Sequence, residues 1–308
     1  MSDIALRFGK DMLTLTAPLE PGLAAQGVDT DKDVEFMALV EPDTIRDAYR
    51  LQMVGEPQVL VTATRGITPA RLARHNMEGR LEDLCVASLT VARSMNPQHI
   101  LVEMWPCGLP LDPDSATSMK EHRDQYARVA KVYEALDKNT DGTGATAFDG
   151  YLLSGFSTVA ALKAAIAGIR KVSDKPLFAS VVVDGYGLMG SAKKETLEEA
   201  IAVMEEFGAD VCGFATYADE SKAYDLVQRA VAVTAKPVLV SLAVAKRDPK
   251  QGEATPENPY YSPDTMITAA VKMRAAGAQF VRATSAASPA YTAVIAAALT
   301  GRDVVKVR

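Results

Sequence analysis

Short apolar, β-branched runs alternate with helical patterns eight times along this chain. No other feature constrains its fold as tightly. The runs are MLTLT (12–16), QVLVTAT (58–64), HILVEM (99–104), DGYLLS (149–154), LFASVVV (177–183), DVCGFAT (210–216), PVLVSLA (237–243) and AQFVRAT (278–284). Each is apolar on both faces, as strands are when helices cover one side and a core lies on the other. Helical patterns fill the gaps at 41–53, 68–94, 115–138, 157–173, 193–208, 220–234, 262–277 and 288–301. Thr68–Pro69, Ser262–Pro263 and Ser288–Pro289 each read as a cap residue followed by proline at the first helical position. Gly208, Gly277 and Gly301 read as helix ends.

Strands alternating with helices of this length pair in parallel. Eight such units without a long hydrophilic linker predict a single-domain α/β fold, a closed (β/α)8 TIM barrel spanning residues 1–308. The competing architecture, an open doubly wound sheet, is expected to carry GxGxxG after its first strand. LEPGLAAQG does not match that pattern. Two segments interrupt the rhythm, KNTDGTGATAF (138–148) and KRDPKQGEATPENPYY (246–261). The first precedes a strand and is expected on the stability face. The second follows one and is expected over the active-site face.

The balance of 33 Lys plus Arg against 39 Asp plus Glu gives a net charge of −6, without basic runs, which argues against nucleic acid as a partner. Three cysteines without a CxxC do not make a disulfide framework and fit a reducing cytoplasm. No apolar run reaches the ~18 residues of a membrane span. The start, MSDIALRFGKDM, has charges where a secretory signal needs an apolar stretch. The expectation is a cytoplasmic protein with a small-molecule substrate.

In a barrel of this kind chemistry sits at the C-terminal strand ends. The candidates there are Glu20; Thr62, Thr64 and Arg65; Glu103, Trp105 and Cys107; Ser154; Asp184 and Tyr186; Thr216 and Tyr217; Ser241 and Lys246; and Arg282, Thr284 and Ser285. Glu103 and Asp184 are the candidate general bases, and the remaining polar groups are candidate substrate contacts. Arg65 and Arg282 lie on strands flanking the first. They are placed either to clamp an anion or to pair with Glu20 and Glu103. His75 and His122 fall in helices and His99 at a strand start, so histidine catalysis is not expected. No set of soft ligands converges for a metal. Lys246 opens a KRDPK run and reads as a solvated charge.

The segment VEPDTIRDAYRLQMVGEPQVLVTATRGITPARL (40–72) resembles the homocysteine S-methyltransferase family. That family has P-E-x-V-x-x-V-H-x-x-Y, then I-x-T-N-T-F, then x-x-R-L. Further likenesses follow in order: EHRDQY with Gln125, FDGYLL with Asp149, YYSPDTM, and GAQFVRATSAASPAY. The resemblance implies a methyltransferase barrel. It also implies a zinc held by one cysteine ending strand 6 and two ending strand 8, where this chain has Thr216, Thr284 and Ser285. The family's strand-4 acid, which holds the amino group of its amino acid, is here Ser154. Hydroxyls stay protonated near neutral pH and are poor zinc ligands. Zinc is therefore expected to be absent, with no other cofactor evident. Three readings stay open. One is a zinc-independent methyltransferase with a different acceptor, an anionic one among the options, or with a corrinoid or folate methyl donor. Another is a non-catalytic relative, a binding or assembly subunit for a corrinoid or methyltransferase partner. The last is a lyase or isomerase using Glu103 or Asp184. Ala-rich helices leave a homo-oligomer open as well.

Overall fold

The computed structural model describes residues 3–30, 34–138, 147–246 and 252–301. Eight parallel strands form a closed barrel in sequence order. They are β1 (Leu13–Leu15), β2 (Val59–Val61), β3 (His99–Met104), β4 (Gly150–Phe156), β5 (Leu177–Val182), β6 (Val211–Thr216), β7 (Val238–Val244) and β8 (Phe280–Ser285). Closure is made by β1 against β8, with Leu13 opposite Phe280 and Leu15 opposite Arg282. The expected strands are all present, because each run is buried throughout or nearly so.

The helices are α1 (Glu20–Ala25), α2 (Val34–Val40), α3 (Pro42–Met53), α4 (Pro69–Ala73), α5 (Leu81–Arg93), α6 (Ala116–Lys138), α7 (Val159–Arg170), α8 (Leu197–Glu206), α9 (Glu220–Val233), α10 (Pro263–Ala276) and α11 (Pro289–Thr300). They bury one side against the outer face of the strands. Among the described residues no helix is long and apolar enough to cross a membrane.

Two expectations about helices are corrected. The helix expected over 68–94 is broken into α4, a 3-10 turn (Glu78–Arg80) and α5. Asn76 adopts φ 55°, a left-handed conformation that ends α4. His75 therefore sits in the break, exposed, and not in a helix. The expected hydroxyl caps of α4, α10 and α11 make no capping hydrogen bond. Proline at the helix start already removes one orphan N–H and fixes φ. Side-chain caps occur where no proline does: Thr158 on α7, a Thr196–Glu199 capping box on α8 and Asp219 on α9. Gly277 and Gly301 do end their helices in the left-handed conformation.

The lower half of the barrel is apolar. Leu13, Val59, Leu101, Leu152, Phe178, Val211, Leu239 and Phe280 converge there. A 3-10 segment (Asp3–Arg7) and Phe8 close it from below. Ile4 is fully buried, and the Phe8 ring meets Phe178 and Phe280 edge-on at 6.0 and 5.9 Å. Gln279 holds this floor in place. Its amide donates to the carbonyls of Arg7 and Asp11, and its oxygen accepts from the Gly9 N–H.

Residues 139–146 and 247–251, within the two expected insertions, lie outside the described residues. After β7, Tyr260 donates to the Ala218 carbonyl at 3.0 Å and its own carbonyl accepts from Tyr291 at 2.7 Å. The end of that segment is thus tied to the loop after β6.

Candidate site at the mouth of the barrel

Strand alternation carries the apolar interior upward into polar residues. Two residues beyond Leu101, Leu152, Phe178, Leu239 and Phe280 come Glu103, Ser154, Ser180, Ser241 and Arg282, while β6 offers Gly213. One step higher stand Trp105, Val182, Ala215, Ala243 and Thr284. Burial falls along the same path. On β8, Phe280 is 0% and Arg282 2% exposed, whereas Thr284 is partly exposed. Above this charged floor stand Trp105 and four smaller side chains.

The floor is a closed ionic lock. Arg282 donates from Nη1 to Glu103 Oε1 at 2.6 Å, from Nη2 to Oε2 at 3.3 Å, and from Nε to the Thr16 carbonyl at 2.9 Å. Arg65 donates from Nε to Glu103 Oε2 at 2.9 Å, and its Nη1 lies 3.3 Å from Glu20 Oε1. Ser154 Oγ adds a bond to Glu103 Oε1 at 2.7 Å. Thr64 donates to the Glu103 carbonyl, and Thr62 accepts from the Glu103 N–H. Burial by itself would push the Glu103 carboxyl up. The guanidiniums of Arg282 and Arg65 outweigh it and hold the group at about 2.

This geometry corrects two expectations. Glu103 is no general base, because a carboxylate held this low and fully hydrogen-bonded has little tendency to take a proton. The two-arginine clamp is corrected at Arg282, whose three nitrogens are all hydrogen-bonded inside the barrel, while Arg65 is ion-paired with Glu103 and Glu20. Two acids and two arginines, Glu20, Glu103, Arg65 and Arg282, balance in charge.

Other candidates have structural tasks. Asp184 is exposed, and its Oδ1 accepts from the N–H groups of Tyr186 and Leu188, organising a turn instead of serving as a base. Cys107 is 1% exposed, beneath the surface of the mouth, and its N–H donates to Tyr126. Tyr186 and Tyr217 are 73% and 50% exposed. They border a cleft of about 610 Å³ beside the barrel axis, with Lys194, Lys222 and Glu257. Lys246 is exposed. His99 meets Asp149 at 3.3 Å and His122 bonds two backbone carbonyls, both inside the scaffold.

The positions that the resemblance assigns to zinc do not suit it. Thr216 Oγ1 accepts from the Ala218 N–H at 3.1 Å, and Ser285 Oγ accepts from Tyr217 at 2.9 Å. Ser285 also adopts φ 61°. Among the described residues no group of three His, Cys, Asp or Glu side chains is placed to hold a metal ion.

Two contributors escaped the sequence reading. Glu35 on α2 accepts a hydrogen bond from the Gly66 N–H, and burial pushes its carboxyl up from the usual range. Ser180 sits mid-strand in LFASVVV, where only the alternation of its neighbours marks it as facing inward. Trp105, visible in the sequence as a strand-end residue, carries the Arg65 guanidinium over its ring at 4.4 Å. Gly155 makes room for that ring: it has φ 76°, and a Cβ there would stand 3.1 Å from Trp105.

The family model of homocysteine S-methyltransferase matches residues 16–299. Among solved structures the chain is similar to the homocysteine methyltransferase MmuM from Escherichia coli. The metallated form gives a TM-score of 0.72 at 15% identity, over 96% of this chain and 98% of that one. The oxidized form gives 0.70 at 16% identity, over 94% and 96%. The carboxyl transferase domain of Rhizobium etli pyruvate carboxylase, with pyruvate and biocytin, gives 0.52 at 12% identity, over 91% of this chain and 41% of that one. A search of curated proteins finds no match.

Proposed function

This chain belongs to the homocysteine S-methyltransferase family, and on that premise we propose that it is a methyltransferase working without a zinc-held thiolate on an acceptor other than homocysteine. The observation that carries this reading is the hydroxyl set Thr216, Thr284 and Ser285 at the expected cysteine positions, two of the three engaged in local hydrogen bonds. Zinc serves a thiol acceptor by keeping it as thiolate. Neutral hydroxyls already holding hydrogen bonds offer no such support.

The acceptor's end groups change too. Ser154 donates a hydrogen bond to Glu103 Oε1, and it presents no carboxylate to an ammonium group. The charge-assisted bond that an acid would make there is worth ~1.5–3 kcal/mol. With Arg282 fully hydrogen-bonded and Arg65 paired with Glu103 and Glu20, the floor also gives an anionic acceptor little to bind. The acceptor's lone pair forms the new bond to the methyl carbon as the donor's bond to it breaks; that electron pair stays with the donor, and the proton the acceptor releases passes to the demethylated donor or to solvent. A corrinoid or folate carrier fits that role on this reading, with a corrinoid protein as the partner that would deliver it.

A second reading, a binding or assembly subunit, draws support from Glu103. With both oxygens committed, it leaves the floor without a free base. The lyase or isomerase reading loses both of its proposed bases to structural roles.

Protein purified without chelator tests the proposal. It is analysed for zinc and then incubated with homocysteine and methylcobalamin or 5-methyltetrahydrofolate. The expected result is no stoichiometric zinc and no methionine above a boiled control. Chelatable zinc at one ion per chain, or methionine formation, overturns it.

A further inference from the structure

The mouth of the barrel has hydrogen-bonding groups in excess, and its lock of Glu20, Glu103, Arg65 and Arg282 balances in charge. Arg282 uses all three of its nitrogens on Glu103 and Thr16. Glu103 has both oxygens taken. Arg65 bridges Glu103 and Glu20. Around this neutral lock several polar atoms are left over. The Trp105 indole N–H is buried with no partner, and so is Glu20 Oε2. Ser180 and Ser241 are 2% and 5% exposed and stand at inward positions beside them, with hydroxyls that are not fully shut from solvent. Buried polar groups are rarely left unsatisfied, so this concentration calls for a guest. The guest must offer acceptors to the indole, donors to Glu20, and either to the serines.

Charge decides which guest. A charged group placed over a balanced and desolvated lock would be buried without a counter-ion, which is costly. We propose that the barrel mouth binds an uncharged ligand portion bearing both donors and acceptors, of the amide or hydroxyl class, held by Trp105, Ser180, Ser241 and Glu20. The assignment rests on reading the mouth as the acceptor site and names the chemistry that replaces the charged ends of an amino acid.

Trp105 is the chain's single tryptophan. Its indole N–H therefore gives one resonance, identifiable without assignment in a nitrogen-15 correlation spectrum. Three probes of equal size separate the cases: propionamide, propionate and propylammonium. The full-length protein should show a saturable shift of the indole resonance with propionamide, at roughly tenfold lower concentration than with either charged probe. Ser180→Ala combined with Ser241→Ala should weaken the propionamide response. Ser180→Asp, which adds an unbalanced charge, should turn the preference toward propylammonium. An equal or tighter response to propionate or propylammonium in the unaltered protein overturns the assignment, as does the absence of any shift with all three. The titration is independent of the zinc and homocysteine assays. A zinc ion in the protein would sink the zinc-free methyl-transfer reading without touching this preference. A preference for charge would sink this inference and leave that reading standing.

Discussion

Arg282 on β8 and Glu103 on β3 meet inside the barrel, with Nη1 2.6 Å from Oε1 and both side chains 2% exposed. Two strands separate them around the wall, so the pair braces the barrel across its interior. Arg282 is the largest side chain in the fully buried set, and its charge is tolerable there only because Glu103 receives it.

Removing one partner should therefore cost far more than a surface ion pair does. Arg282→Met is expected to lower the unfolding free energy by about 3–5 kcal/mol, since it strips Glu103 of its nearer counter-ion in a buried site. Urea denaturation followed by circular dichroism measures this. The double variant Glu103→Met with Arg282→Met should recover much of the loss. If the single variant melts within a degree or two of the parent, the lock is not what holds the mouth.

The same pair makes stability depend on acid. Glu103 is held at about 2 in the fold, below the ~4.3 of a glutamate in an unfolded chain. A depressed carboxylate contributes stability that is fully present above the unfolded value and is lost as pH falls through the folded one. The urea midpoint should thus fall as pH drops from about 4.3 toward 2, more steeply in the parent than in Glu103→Gln. Identical slopes in the two proteins would refute the assignment.

Restoring soft ligands should restore a metal. The combined change Thr216→Cys, Thr284→Cys and Ser285→Cys is expected to hold a zinc ion far more tightly than the parent, because thiolates at the ends of β6 and β8 suit its tetrahedral preference. Competition with a chromogenic chelator reads the difference. Failure of the variant to gain zinc would mean these strand ends no longer converge as in the family.

Gly155→Ala should disturb the single tryptophan. The backbone there has φ 76°, and the added methyl carbon would press on the Trp105 ring. A cost of about 1–3 kcal/mol is expected, with a change in indole fluorescence. Unaltered emission would place the ring elsewhere in solution.

The eightfold alternation was legible in the sequence because each strand is apolar on both faces, and HILVEM coincides with β3 from end to end. The break after α4 was hidden: Asn76 adopts its left-handed turn inside a run with ordinary helical spacing. The short α1 and α2 also passed unread, and with them Glu35. At the site, the sequence put Glu20, Arg65, Glu103 and Arg282 at strand ends. It left open whether the arginines face a ligand or the acids. That choice depends on registers such as Ser241 opposite Arg282 and Glu103 opposite Leu152, which no local pattern encodes.

The floor of the barrel sets a condition on biosynthesis. Gln279 bonds the carbonyl of Arg7 across 272 positions of chain, and β1 completes its pairing only against β8. Until the last strand leaves the ribosome, the first must wait with one open edge and with Ile4 and Phe8 unpacked. Contacts of such long separation slow folding, and exposed edges in the interval invite association. The nascent chain therefore carries these apolar segments uncovered until synthesis has delivered β8.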